Sequence, residues 1–96
     1  MPDSYDPTDL RFEGFPVFLS NTAYRKALFL GMALYDIVTI LEEGIEKPGT
    51  RRKPGVVEKC ATFRRAWVKV VAVRDFHFST NEECWLVVHL DTTDEP

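Results

Sequence analysis

The chain has 96 residues and a mass of 11.1 kDa, is 45% hydrophobic and 28% charged, and carries a formal net charge of −3 with a pI near 5.3. A chain of this size predicts one soluble domain that buries roughly 60 to 65% of its unfolded surface; a second folded domain is excluded, and two tryptophans, three tyrosines and seven phenylalanines exclude a disordered protein. The most apolar stretch, Ala27 to Leu41, is interrupted by Asp36 and falls short of the roughly 20 residues that span a bilayer, and no signal-peptide pattern opens the chain, so a cytoplasmic protein without a membrane partner is expected.

Residues 1–9, with two prolines and three aspartates, read as a flexible acidic N-terminus. A single α+β domain is expected over 10–91, followed by an acidic tail at 92–96. Leu10 to Leu19 alternates apolar residues (Leu10, Phe12, Phe15, Val17, Leu19) and breaks at Gly14-Phe15-Pro16; it predicts an edge strand, because proline cannot donate to a ladder. Ser20 or Asn21 suits the N-cap of a helix that starts at Thr22, with Tyr24, Ala27, Leu28 and Met32 as its apolar stripe and Arg25 and Lys26 facing outward. Gly31 interrupts this helix, either as a C′ residue that divides two short helices, the expected arrangement, or as a close-packing site within one longer helix; the stripe beyond it, Leu34, Ile37, Val38, Leu41 and Ile45, follows the helical period and ends at Gly44.

Two Pro-Gly turns, Pro48-Gly49 and Pro54-Gly55, then bracket the cationic Arg51, Arg52 and Lys53. Beyond them the period becomes two. Val56 to Phe63, Trp67 to Val73 and Cys84 to Leu90 predict an antiparallel meander, with Phe76 and Phe78 in a short strand or connection between the last two. The fold class is therefore α+β: an N-terminal strand and two short helices packed on a small antiparallel sheet.

Charge is segregated along this order. Between Lys47 and Arg74 stand nine bases and one acid, Glu58, whereas the remainder holds three bases and fourteen acids. Such a basic segment either binds a polyanion or is neutralised within the protein by the acidic helix and termini. Strand alternation sets Val68, Val70 and Ala72 on one face and Trp67, Lys69, Val71 and Val73 on the other. In the last strand Leu86, Val88 and Leu90 suit the helix-covered face, which leaves Trp85, Val87 and His89 with Trp67 and Lys69.

That open face would carry two tryptophans, Lys69 and His89, bordered by Arg64, Arg65 and the cationic loop. Rings beside cations suit single-stranded nucleic acid, with Arg51, Arg52, Lys53, Arg64 and Lys69 on phosphates and Trp67 and Trp85 stacking on bases. The alternative is that both tryptophans pack under the N-terminal segment or in a dimer interface. A metal-independent ribonuclease needs a base, an acid and a cation facing the transition-state charge; Glu58, His89 and Arg65 can fill these roles, with Lys69 as a further cation and His77 and Asp75 as the remaining titratable candidates.

Cys60, His77, Cys84 and His89 lie 17, 7 and 5 residues apart, which matches no compact zinc spacing. Neither a phosphate-binding glycine loop nor a nucleophile elbow is present, and no cofactor is expected. Two cysteines make no disulfide framework. Cys60 and Cys84 are expected as buried thiols in a reducing compartment, with a single bridge as the alternative if their strands are neighbours.

Several stretches resemble a family of small prokaryotic proteins allied to the RelE/ParE toxin superfamily. They are Asn21-Thr22-Ala23-Tyr24-Arg25-Lys26-Ala27, Gly31-Met32, Asp36-Ile37-Val38 with Ile40-Leu41-Glu42-Glu43-Gly44, Val57-Glu58-Lys59-Cys60, Val68 to Val73, and Glu83-Cys84-Trp85-Leu86-Val87-Val88-His89. The resemblance spans roughly residues 15 to 90. It implies a helical hairpin on a twisted antiparallel sheet, and a superfamily of messenger-RNA interferases and gyrase poisons held inactive by an antitoxin. Active residues vary across that superfamily, so the resemblance assigns none here, and the acidity of this chain departs from its strongly basic members. Two functions follow as expectations: a toxin-like RNA-binding protein or metal-independent interferase with RNA or an antitoxin-like protein as partner, and a non-catalytic interaction or regulatory module that forms a homodimer.

Overall fold

A computed structural model describes residues 10–46, 54–79 and 81–96. The expected loop cations Arg51, Arg52 and Lys53 and the expected N-terminal lead-in lie outside the described residues. The chain forms β1 (Arg11–Phe12), β2 (Phe15–Leu19), α1 (Asn21–Leu30), α2 (Leu34–Glu43), β3 (Val56–Phe63), β4 (Ala66–His77) and β5 (Glu82–Thr93). Two helices pack on one five-stranded sheet of order β1-β2-β5-β4-β3, so the class is α+β.

The meander β3-β4-β5 is antiparallel throughout. The N-terminal segment is a hairpin rather than one broken strand: Glu13 and Gly14 take left-handed backbone (φ 53° and 85°), and Arg11 and Phe12 fold back on Pro16 and Phe15. β2 then lies beside β5 in parallel, Val17 to Leu19 against Trp85 to Val87, which makes the sheet mixed. A parallel pair needs a long crossover, and here everything from α1 to β4 supplies it. β4 and β5 run longer than the apolar pattern marks, because Arg74 to His77 and Glu82 to Cys84 still pair where polar residues interrupt it, and β5 takes in Thr92 and Thr93 of the expected tail.

Both helices cover one face of the sheet. Ala23 and Ala27 of α1 and Ile37, Val38, Ile40 and Leu41 of α2 share a core with Val68, Val70, Ala72, Trp85, Val87 and Leu90. Fully burying side chains such as Ile37 and Leu41 contributes about 1.5–3 kcal/mol each before chain entropy is charged against it. α2 packs on β3, β4 and β1, whereas α1 packs on β5 and β2. Since β1 and β3 are the two outermost strands, the sheet curls around α2.

The helix ends follow local chemistry. The Ser20 hydroxyl accepts from the Ala23 amide at 3.1 Å, and Asp36 accepts from the Ala33 amide at 2.8 Å across the start of α2. Gly31 ends α1 in left-handed backbone at φ 74°, and its position also meets Arg64: a Cβ added there would lie 2.8 Å from Arg64 Nη1.

The stripe of α1 differs from expectation. Ala27 and Met32 are buried as expected, but Tyr24 and Leu28 are exposed and Ala23 takes the other inward position. The reason is distance: with alanines inward α1 lies close against β5, and the helix turns its bulky side chains away. Ile45 likewise leaves the stripe of α2 and joins the edge of β3 in an isolated bridge with Cys60, while Ile40 takes a core position.

Replacing Gly31 with Ala forces a Cβ into left-handed backbone and displaces Arg64. The expected cost is about 1–2 kcal/mol, read as a lower urea midpoint with an unchanged slope; an unchanged midpoint would contradict this geometry.

Candidate functional site

Alternation along the sheet sets Glu58, Cys60, Trp67, Lys69, Val71, Val73, Leu86 and His89 on the face without helices. Trp67 is half-buried there, and Lys69 reaches Glu58 diagonally at 3.9 Å. Val71 pairs with Glu58 on one side and His89 on the other. Glu58 and His89 therefore stand in one row, two strand spacings or about 10 Å apart.

Arg65 is not part of that row. It occupies the β3–β4 turn, six residues along the strand direction from Val71, about 20 Å away at roughly 3.3 Å per residue. Glu58, His89 and Arg65 thus do not converge on one reacting atom. His77 is at the far end of β4, stacked on Phe18 at 4.2 Å, and Asp75 pairs in register with Cys84.

Trp85 does not belong to this face. It is 3% exposed, tilted against Phe12 at 5.5 Å on the helix side. The cause is a β-bulge: Val71 pairs with His89 but Ala72 with Val87, so Val88 is an extra residue and the face of β5 changes there. Trp85 and Val87 turn inward before the bulge and Leu90 after it, while Leu86 and Val88 are not core residues. An inserted residue breaks strict alternation without leaving a mark in composition. Trp85 cannot stack on a base in this fold.

The cysteines are free and buried, and they are not neighbours, because β4 separates β3 from β5 and their register partners on it are Lys69 and Asp75. Burial pushes the Cys84 thiol above its ordinary range, with Asp75 and Glu82 adding to the rise and Arg74 opposing it. Among the described residues no group of His, Cys, Asp and Glu can hold a metal ion, and no helix is long and apolar enough to cross a membrane.

Part of the basic segment is neutralised inside the protein. Lys69 pairs with Glu58 and Arg74 with Glu83, while elsewhere Arg11 pairs with Glu82 at 3.1 Å and Lys26 with Asp91 at 3.4 Å. The backbone amide of Thr92, and then Lys26, hold the Asp91 carboxyl below its usual range. A depressed carboxyl favours folding above its unfolded pKa, and that contribution fades as pH falls through the lower folded value. Arg74 also stacks on Phe15 at 4.0 Å and lies 5.3 Å from the Trp85 ring.

Arg64 and Arg65 are different. Both are exposed at the hairpin tip in left-handed backbone, φ 51° and 70°, where Asn-Gly is the usual choice. Arg64 lies over the Phe63 ring at 5.1 Å, and neither arginine makes an ion pair among the described residues.

The most exposed apolar cluster was not among the expected site residues. On α1, Tyr24 is 54%, Leu28 63% and Phe29 82% exposed. Tyr24 and Leu28 line a groove of about 510 Å³ that continues over Val17, Leu19 and Met32, and Phe29 stands one residue further round the exposed side of the helix, beside Thr22, Arg25 and Lys26. The signal in the sequence was two alanines spaced four apart, which a helix can bury as readily as Tyr24 and Leu28.

No family model, no curated protein and no solved structure matches the chain.

Native protein should resist alkylation at pH 8, since both thiols are buried and Cys84 is held protonated, whereas two equivalents should react in denaturant. Rapid labelling of either cysteine in the folded protein would contradict the burial described.

Proposed function

We propose that this chain is a non-catalytic protein-interaction module whose contact surface is the outer side of α1. The carrying observation is that α1 buries only Ala23 and Ala27 fully and holds Tyr24, Leu28 and Phe29 in water. Scattered exposed apolar residues are ordinary, but three large ones on a ten-residue helix, two of them lining a groove, form the kind of patch that a partner covers. The separation of Arg65 from Glu58 and His89, and the pairing of Lys69 and Arg74 with acids, support the same reading.

Footprinting by hydroxyl radicals tests it. Tyr24, Leu28 and Phe29 should be several-fold less reactive in cells that make the protein than in dilute purified protein, with Phe78, another exposed ring at 86%, as the internal control. Equal reactivity in both conditions would refute an α1 contact.

A second reading, toxin-like RNA binding, is favoured by one observation: two adjacent exposed arginines, without ion pairs among the described residues, at a tip followed by half-buried Trp67. The RelE/ParE resemblance points the same way. If Arg64 and Arg65 contact phosphates, Arg64→Ala/Arg65→Ala should lower the salt dependence of single-stranded RNA binding by about 1.4 log units per log unit of salt. Cleavage in EDTA that is lost in Arg65→Ala or His89→Ala would extend this reading to an interferase, and an unchanged RNA affinity in the double variant would count against it.

A further inference from the structure

The two helices pack on different strands, α1 on β5 and β2 and α2 on β3, β4 and β1, and carry opposite charge. The charged residues of α1 are Arg25 and Lys26, and those of α2 are Asp36, Glu42 and Glu43. Lys26 is engaged by Asp91 and Asp36 by the Ala33 amide. That leaves Arg25, Glu42 and Glu43, all exposed, without an ion pair among the described residues.

Each helix also presents an aromatic residue beside its charge. On α1, Leu28 and Phe29 stand one turn beyond Arg25; on α2, Tyr35 is 63% exposed and Glu42 stands two turns beyond it on the same line. One outer stripe is apolar with a cation, and the other is aromatic with anions.

We infer that a second copy of this chain covers the outer side of α1, in a two-fold dimer that sets α1 of each protomer against α2 of the other. The inference rests on the interaction reading above and names its partner. Charge decides the arrangement. Setting α1 on α1 would oppose arginine to arginine, and α2 on α2 would oppose glutamates, whereas the crossed pairing satisfies Arg25 with Glu42 and Glu43 twice over under one two-fold axis. It also removes Leu28, Phe29 and Tyr35 of both copies from water, which supplies the driving force, while the charges select the register.

Sedimentation velocity of the full chain over a wide concentration range tests this directly. The wild type should show a monomer–dimer equilibrium. Phe29→Ser, and separately Arg25→Glu, should weaken it more than about tenfold. Glu42→Arg/Glu43→Arg should weaken it similarly, and combining that change with Arg25→Glu should restore dimerisation. These side chains are exposed, so each variant should keep the wild-type thermal transition of the monomer, which is checked in parallel.

A wild type that stays monomeric at every concentration would overturn the inference, as would a dimer that ignores both Phe29→Ser and Arg25→Glu. The interaction reading fails separately: monomeric protein with α1 protected in cells removes only the second copy as occupant, whereas monomeric protein with α1 unprotected removes both.

Discussion

Ile37 and Leu41 are wholly buried, and with Val38 and Ile40 they make α2 an apolar rod that touches both outermost strands, β1 and β3. A five-stranded sheet reaches both sides of one helix only by curling, and much of the remaining architecture follows from that curl. It recruits β2 beside β5 in parallel and brings the β1–β2 hairpin over the core. It draws Trp85 under Phe12 and packs Arg74 on Phe15. Burial has a polar cost here, since Trp85 Nε1 and Arg74 Nε meet no acceptor among the described residues.

With α2 filling the curl, α1 becomes a thin cover over β5 and β2. Alanines at its contact positions let it lie close, and that closeness leaves no room inward for Tyr24, Leu28 or Phe29. The core is thereby completed by the smaller side chains while a hydrophobic patch remains in water, a division that costs the isolated chain stability. The bulge at Val88 is a second such division. It ends the run of Trp85 and Val87 into the core and returns Leu90 to it, so that His89 stands outside beside Val71. The face without helices then holds Glu58, Lys69 and His89 without the cations of the hairpin tip.

Much of this was legible in the chain itself. The period of 3.6 through Ile37, Val38 and Leu41 and the period of two through Val68, Val70 and Ala72 identified α2 and β4 and their inward faces correctly, because those elements bury one uninterrupted side. Ser20 as a cap and Gly31 as a break were readable from hydrogen bonding and backbone freedom that belong to single residues. The site was less legible. Alternation puts Trp85 on the wrong face because one extra residue at a bulge reverses it, and half of the α1 stripe, Tyr24 and Leu28, points outward instead of Ala23 because size and apolarity favour the larger side chains when no neighbour is known.

Local periods and single residues carry the class of the fold, the division at Gly31, the meander and the opposite charges of the two helices. The parallel seat of β2, the inward turn of Trp85, the separation of Cys60 from Cys84 and the exposure of Phe29 arise only on folding. Each of those depends on which surface lies within a few ångströms of a side chain after the sheet has curled around α2. Contacts between residues far apart in the chain leave no period along it, so they are settled only when the chain closes on itself.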